Sequence, residues 1–301
     1  MIRGGRSVRR PWEAMLLASA AMTLLFGVSA FFSHRILSQR STTIGERQGR
    51  ESLLLAISRR PEFAFGFRNA FADAAWLEAV QVAGARAMEP ADYDRLSSLI
   101  EAVINFDPRF EVPYLMGGII LSDSPAHVPD ALKVLDRGKA ELPAVWRIPF
   151  YEGYIRYFSQ GDPVAGGMAL EAAARIPGSP LYLPLLAARM FAEGRRPETA
   201  LQFLAAMARD ESDPTRLKAL QSRMKDVETE RDILELENAV ERFREKKGAG
   251  PQSLSDLVDA GIVAEIPREP RGGKYLLAPD GSVRSTRLTH RLKVLRPRAA
   301  R

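Results

Sequence analysis

His34, His127 and His290 are the chain's three imidazoles, and cysteine is absent. The histidines are far apart and have no thiolate neighbours, so they do not form the ligand spacing of a zinc site. Without a thiol there are no disulfides, no cysteine nucleophile and no lipoprotein-type acylation. Phosphate-cradling loops follow G-x-x-x-x-G-K-[ST]. The nearest run, Arg271-Gly272-Gly273-Lys274, lacks both the spacing and the hydroxyl and reads as a turn. No G-x-S-x-G nucleophile elbow occurs. Asp73 and Trp76, in FADAAWLEAV, set an acid one turn from an indole, and helix packing accounts for that pair. The remaining acids lie mostly in charged helical stretches as a solvated face, so no acid–base pair is defined. No catalytic, cofactor-binding or metal-binding residue is assigned, no cofactor is implied, and the expectation is a protein that is not an enzyme. The alternative, an enzyme whose unrecognised active site is supported by helical repeats, requires a pocket with converging, perturbed titratable groups.

The positioning elements begin with composition. At 46% hydrophobic and 27% charged, the chain of 301 residues has the balance of a globular protein with a sizeable core. The net charge of +6 sits mainly at the two ends. Arg3, Arg6, Arg9 and Arg10 open the chain without an acid. Arg284, Arg287, Arg291, Lys293, Arg296, Arg298 and Arg301 close it in the same way. This points to anionic lipid or an acidic partner at the ends, and not to a nucleic-acid-binding body.

Residues 14–32 read AMLLASAAMTLLFGVSAFF, a run of 19 without charge. At about 1.5 Å per residue such a helix nearly matches a bilayer core of about 30 Å. The four preceding arginines place segment 1–13 in the cytoplasm and the bulk of the chain outside it, single-pass in the inner (cytoplasmic) membrane. A signal peptide cut after Val28-Ser29-Ala30 competes with this reading; the length of the apolar run favours an anchor. Residues 33–67 form a juxtamembrane linker. Its end, PEFAFGF at 61–67, is expected to be an extended or turn segment whose three phenylalanines pack against the first repeat.

From residue 68 the pattern is helical and periodic. Pro129, Pro163 and Pro197 stand 34 residues apart, each just before a helical pattern, where proline is tolerated. Pro143 and Pro177 keep the same step, as do Tyr114, Ile148 and Tyr182, and Leu135, Ala169 and Phe203. In the second halves of the units the small and bulky positions fall at Ala131, Leu135 and Gly138; at Ala165, Ala169 and Ala172; and at Thr199, Phe203 and Ala206. Gly153 and Ala187 occupy the small position of the first halves, and Val80, Gly84, Leu96, Ile100, Val103 and Pro108 fit an earlier unit. Pro149, Pro184 and Glu211 depart from the pattern, the two prolines implying helices that start late.

This 34-residue period resembles the tetratricopeptide repeat (TPR) family. The resemblance implies an all-α fold over 68–213: a TPR-like solenoid of helical hairpins whose first helices line a concave face. By that analogy the groove-facing candidates are Met116, Ile120, Arg147, Phe150, Tyr154, Tyr157, Phe158 and Phe191. Aromatics and arginine are the types that carry interface energy, although some of these rings must be core.

Residues 214–248 read as one long helix or two abutting helices capping the last repeat. Leu217, Leu220, Met224 and Val227 share one apolar register, Ile233, Leu236, Val240 and Phe243 another, and Gly248 ends the helix. Residues 249–286 form a small α+β module: a short helix capped by Ser253 and Ser255 and ending at Gly261, then a hairpin of 274–277 and 282–285 around Pro279-Asp280-Gly281. Pro251, Leu254, Leu257, Pro267, Pro270, Gly272, Tyr275, Asp280 and Gly281 resemble the soluble end of pilins and pseudopilins. The basic tail, 287–301, is expected to be flexible. Together these readings describe a single-pass membrane scaffold that holds other envelope proteins outside the cytoplasm, in assembly of a secretion, pilus or surface-polymer system. Its membrane contact is 14–32, nucleic acid is not a partner, and its oligomeric state is left open.

Overall fold

The structure, a computed structural model, describes residues 53–292 apart from Thr289. The basic segment 1–13, the apolar run 14–32, the linker up to residue 52 and the tail beyond 292 lie outside the described residues. The chain divides into two units, 1–54 and 55–301; of the first, only Leu53 and Leu54 are described. Among the described residues no helix is long and apolar enough to cross a membrane.

The second unit is predominantly helical, as the sequence pattern predicts. Four helix pairs succeed one another: α1 (Arg68–Ala83) with α2 (Pro90–Phe106), α3 (Glu111–Leu121) with α4 (Val128–Glu141), α5 (Arg147–Phe158) with α6 (Pro163–Ala174), and α7 (Tyr182–Glu193) with α8 (Pro197–Asp210). Each pair also packs on the next, α2 on α3, α4 on α5 and α6 on α7, and the first helices α3 and α5 touch directly. Two apolar clusters run through the array. One joins α1 to α5 around Leu96, Tyr114, Leu135 and Ile155; the other joins α5 to the long helix that follows α8 around Tyr157, Leu183, Phe191 and Leu204.

The three periodic prolines occupy corresponding places. Pro129 is the second residue of α4, and Pro163 and Pro197 open α6 and α8. Their missing N–H falls where an α-helix has no internal acceptor to offer. Asp162 completes the start of α6 by accepting the Ala165 N–H at 2.9 Å. Pro149 and Pro184, departures at the sequence level, prove regular. α3, α5 and α7 begin Glu-Val-Pro, Arg-Ile-Pro and Tyr-Leu-Pro, so Pro113, Pro149 and Pro184 are each the buried third residue of a first helix. Four residues later stand Gly117, Gly153 and Ala188, all buried at a helix crossing.

Of the assigned packing columns, Leu135, Ala169 and Phe203 are all buried. The others slip. Ala131 is fully buried, but in the next two pairs the inward residue is Gly166 or Ala200, while Ala165 is half-buried and Thr199 and Ala172 are exposed. Val80 is likewise 42% exposed, and Ala79 takes the interior position. The proline period is constant, but relative to Ala131 the small buried position of α6 and α8 falls one residue past the 34-residue step, at Gly166 and Ala200.

α9 (Pro214–Lys247) is a single helix capped by Asp213, whose carboxylate accepts the Thr215 and Arg216 N–H groups; Gly248 ends it at φ +74°. The two apolar registers have different partners. Leu220 and Val227 belong to the cluster of the last pairs, whereas Ile233, Leu236, Ala239 and Val240 form the core of the C-terminal module with Leu257, Tyr275 and Val283. That module contains α10 (Ser255–Asp259) and an antiparallel hairpin of β1 (Tyr275–Leu277) and β2 (Val283–Ser285), with Tyr275 opposite Ser285. The hairpin turn at Pro279-Asp280-Gly281 is as expected, with Gly281 at φ +85°. The cap of α10 is not. Asp256, not a serine, organises the start by accepting the Gln252 and Ser253 N–H groups at 2.7 and 3.1 Å.

Two further expectations are corrected. Segment 61–64 is a 3-10 turn, and its phenylalanines do not pack inward: Phe63, Phe65 and Phe67 are 53%, 83% and 69% exposed. The start of the basic tail is docked, not free. Arg291 pairs with Glu230 at 2.6 Å and Glu237 at 2.9 Å, and Leu292 enters the cluster of the last helix pairs.

Candidate protein-interaction surface

α5 is flanked on two sides. Ile148 and Ile155 point into the cluster shared with α3 and α4, and Tyr157 into the cluster shared with α6 and α7. A helix covered on two sides keeps a narrow free stripe. At about 100° per residue that stripe is Arg147, Phe150, Tyr154 and Phe158, spaced i, i+3, i+7, i+11. Arg147 and Tyr154 are exposed; Phe150 and Phe158 are half-buried.

The stripe is held from both neighbouring first helices. Glu111, the first residue of α3, accepts from the Arg147 guanidinium at 2.7–2.8 Å. The Phe150 ring lies 6.3 Å from Tyr182, the first residue of α7, in an edge-to-face arrangement. Tyr154 and Phe158 pair at 4.6 Å, and the Arg147 guanidinium lies 5.6 Å from the Trp146 ring centroid. The result is two ring pairs, Phe150 with Tyr182 and Tyr154 with Phe158, along a stripe that Arg147 opens beside Glu111; Phe150 and Phe158 also rest on the second apolar cluster.

Beneath the row lies a buried carboxylate. Glu152 is 8% exposed and accepts from Lys139 of α4 at 2.6 Å and from Arg156 at 2.8 Å. Burial works to lower the Lys139 pKa, but the Glu152 and Asp136 carboxylates outweigh it and hold the ammonium above its ordinary value. Tyr114 at the back of α3 is fully buried and donates to Pro108 O at 2.9 Å; burial pushes its phenol up to about 12. Glu152 thus ties α5 to α4, while Lys139 and Arg156 stay about one-third exposed.

The sequence-derived groove residues therefore divide. Arg147, Phe150, Tyr154 and Phe158 come together. Met116 and Ile120 are half-buried on α3 against the first cluster, and the more open residues of that helix are Val112 and Ile119. Tyr157 and Phe191 are not surface residues: both are fully buried. Tyr157 also donates to Glu193 at 2.9–3.0 Å, tying α5 to the end of α7. Each stands off its helix's free stripe, toward a packed neighbour. Tyr182, 47% exposed, joins the row although sequence reasoning did not select it. The 34-residue column points the other way, because its members Tyr114 and Ile148 are fully buried.

Two polar clusters outside this surface resemble chemistry. Ser124 Oγ lies 2.9 Å from His127 Nδ1, and His127 Nε2 lies 3.0 Å from Asp94 Oδ1. A neutral imidazole with its proton on Nε2 satisfies both contacts. Tyr93 stacks on the ring at 5.4 Å. His127 is 7% exposed and links α2 to the α3–α4 connection, which is the work of a clamp. In the C-terminal module, Glu269 is 6% exposed and accepts the Arg271 and Gly273 N–H groups at 2.8 Å, the Ser285 hydroxyl at 3.0 Å and the Thr229 hydroxyl at 3.3 Å. Burial raises its carboxyl, but these four bonds outweigh it and hold it below the usual range. Tyr275 donates to Asp232 at 2.8 Å. An open cleft of about 520 Å³ beside them is lined by Leu254, Ile266, Glu269, Lys274 and Tyr275, but both its acid and its phenol are engaged by the protein. Among the described residues no three His, Asp or Glu side chains are placed to hold a metal ion. No protein-family model, curated protein or solved structure matches the chain.

Proposed function

We propose that this protein is a single-pass membrane scaffold of the tetratricopeptide type, which holds other envelope proteins on the extracytoplasmic side and has no catalytic role of its own. The observation that carries the reading is the row Arg147, Phe150, Tyr154, Phe158 and Tyr182, presented across consecutive first helices of an array whose prolines recur every 34 residues. Stacked helix pairs build extended docking surfaces, and rings with arginine supply binding energy there. The apolar run 14–32 and the arginines before it support the tether and its orientation. The order of long helix, short helix and hairpin at the C-terminus supports kinship with pilin-like proteins, and with it a place in a secretion, pilus or surface-polymer assembly.

The test combines topology with recovery. A phosphatase reporter fused after Arg301 should be active only outside the cytoplasm. The full chain purified from membranes should carry an envelope protein that the Arg147→Glu, Tyr154→Ala variant loses. A cytoplasmic reporter, or identical companions for both chains, contradicts the proposal.

A further inference from the structure

Phe63, Phe65 and Phe67 form an exposed aromatic knuckle that is built and not frayed. Ala64, between the first two, is 1% exposed and packs with Ala72 and Phe106. Phe71 stacks on Phe106 at 5.5 Å just behind it. Backbone bonds close the turn, from the Phe63 N–H to Arg60 O at 2.9 Å and from the Phe67 N–H to Ala64 O at 2.7 Å. Arg68 fastens the far side by donating to Asn105 O at 3.0 Å. With Ala64 pinned inward, the neighbouring rings must project.

Phe65 has φ +46° and ψ +40°, followed by Gly66 at φ +87°. A bulky side chain in the left-handed region is a backbone outlier, and such outliers persist where the surroundings impose them and function uses them. Here the strained residue carries the most exposed phenyl ring of the set, at 83%. Water is a poor environment for three adjacent rings, and monomeric proteins rarely leave such a cluster uncovered.

The chemistry around the knuckle identifies the occupant. Arg59, Arg60 and Arg68 flank it, all exposed, and Glu62 is the one acid within the turn. Apolar rings rimmed by cations are suited to a bilayer interface, with rings among the acyl chains and guanidinium groups among anionic headgroups. The knuckle also begins only about 30 residues after the apolar run 14–32, within reach of the membrane that the run would span.

We infer that Phe63, Phe65 and Phe67 insert into the anionic bilayer surface as a second membrane contact, which holds the first helix pair at the membrane. The membrane location rests on the tether proposed above; the ring chemistry and the fixed turn do not.

Because the chain has no cysteine, one introduced residue gives one spin label. The full chain with Phe65→Cys, Met168→Cys or Leu24→Cys is labelled and reconstituted in vesicles of phosphatidylcholine and phosphatidylglycerol, three to one. Accessibility to oxygen and to a water-soluble nickel chelate is then read by power saturation. The label at 65 should be accessible to oxygen and shielded from nickel, and it should become accessible to nickel when Phe63 and Phe67 are also changed to Ser. The label at 168, on the exposed face of α6, should be open to nickel throughout. Nickel accessibility at 65 equal to that at 168 overturns the inference, and so does exclusion of both reagents, which would mean that protein covers the knuckle. The label at 24 reports on the tether separately. Lipid at 24 with water at 65 defeats the knuckle alone, whereas water at 24 with lipid at 65 defeats the tether and upholds the knuckle.

Discussion

Gly153 of α5 and Gly166 of α6 meet backbone to backbone. A Cβ on Gly153 would come 3.0 Å from the Gly166 carbonyl oxygen, and a Cβ on Gly166 would come 3.1 Å from that of Gly153. The obstacle is main chain on both sides, so neither helix can yield by turning a side chain. Gly153→Ala gains up to about 1 kcal/mol of helix propensity. Forcing the crossing apart costs about 1 to 3 kcal/mol. The net expectation is a loss of stability, read as a lower denaturant midpoint with the slope unchanged. Met168→Ala, on the exposed face of α6, should stay within about 0.5 kcal/mol of the parent.

Removing the buried charge under the aromatic row should be more damaging than removing a ring from it. Glu152→Ala leaves Arg156 without its carboxylate and Lys139 with Asp136 alone. The cost is expected to be about 3 kcal/mol, somewhat reduced because both cations are about one-third exposed. Tyr154→Ala should change stability by less than about 1 kcal/mol while reducing partner recovery. Equilibrium unfolding of the two variants separates these outcomes.

The C-terminal clasp gives a third expectation. Arg291→Ala leaves Glu230, 5% exposed at its side chain, without its cation. With Arg291 itself partly open, the loss should be about 2 kcal/mol. Limited proteolysis near Thr286 should accelerate, because Leu292 and the chain leading to it are held by the same contact. Unchanged cleavage would show that the tail docks without the ion pair.

Acid should weaken the same module through Glu269. Its folded pKa is lowered from an ordinary 4.5, so its contribution is present in full above that value and disappears as pH falls through the folded value. Glu269→Gln should cost about 2 kcal/mol at neutral pH, the scale of hydrogen bonds to a charged acceptor. It should also flatten the acid limb of the stability profile below about pH 4.5. Denaturant titrations of parent and variant across that range test both effects.

Alkali acts in the opposite sense on Tyr114. Its pKa is raised to about 12 from 10.0, so the stability linked to the neutral phenol is present below pH 10 and is lost as pH climbs toward 12. Absorbance at 295 nm should therefore show two tyrosines ionising late, Tyr114 and, held higher still by burial and Asp232, Tyr275; Tyr114→Phe should remove the earlier of the two.

The sequence is most informative where one residue type decides local geometry. Proline at a helix start and glycine at a helix end act through backbone sterics alone, so Pro163, Pro197 and Gly248 can be placed without a structure. Side-chain burial needs the neighbours. Tyr154 and Tyr157 are the same residue type on the same helix, yet one is open and the other sealed, because α5 is covered from two sides and only three-dimensional packing says which. The acids of α9 have the sequence pattern of a solvated face. Glu230, Asp232 and Glu237 are instead the contacts that dock Arg291, Tyr275 and β2, with partners 43 to 62 residues away in sequence. The phenylalanines of PEFAFGF mislead in the other direction. Apolar type suggests burial, but the left-handed turn at Phe65, which hydropathy does not report, sends them outward.

The claim that first helices α3, α5 and α7 present a docking face is tested most directly by photo-crosslinking in intact cells, with a benzoyl-phenylalanine placed at Tyr154 or at Met168 in the full chain. A discrete envelope-protein adduct at 154, weak at 168 and abolished by Arg147→Glu, is the predicted result. Equal adducts at both positions, or none at 154 while the chain remains folded, would contradict it.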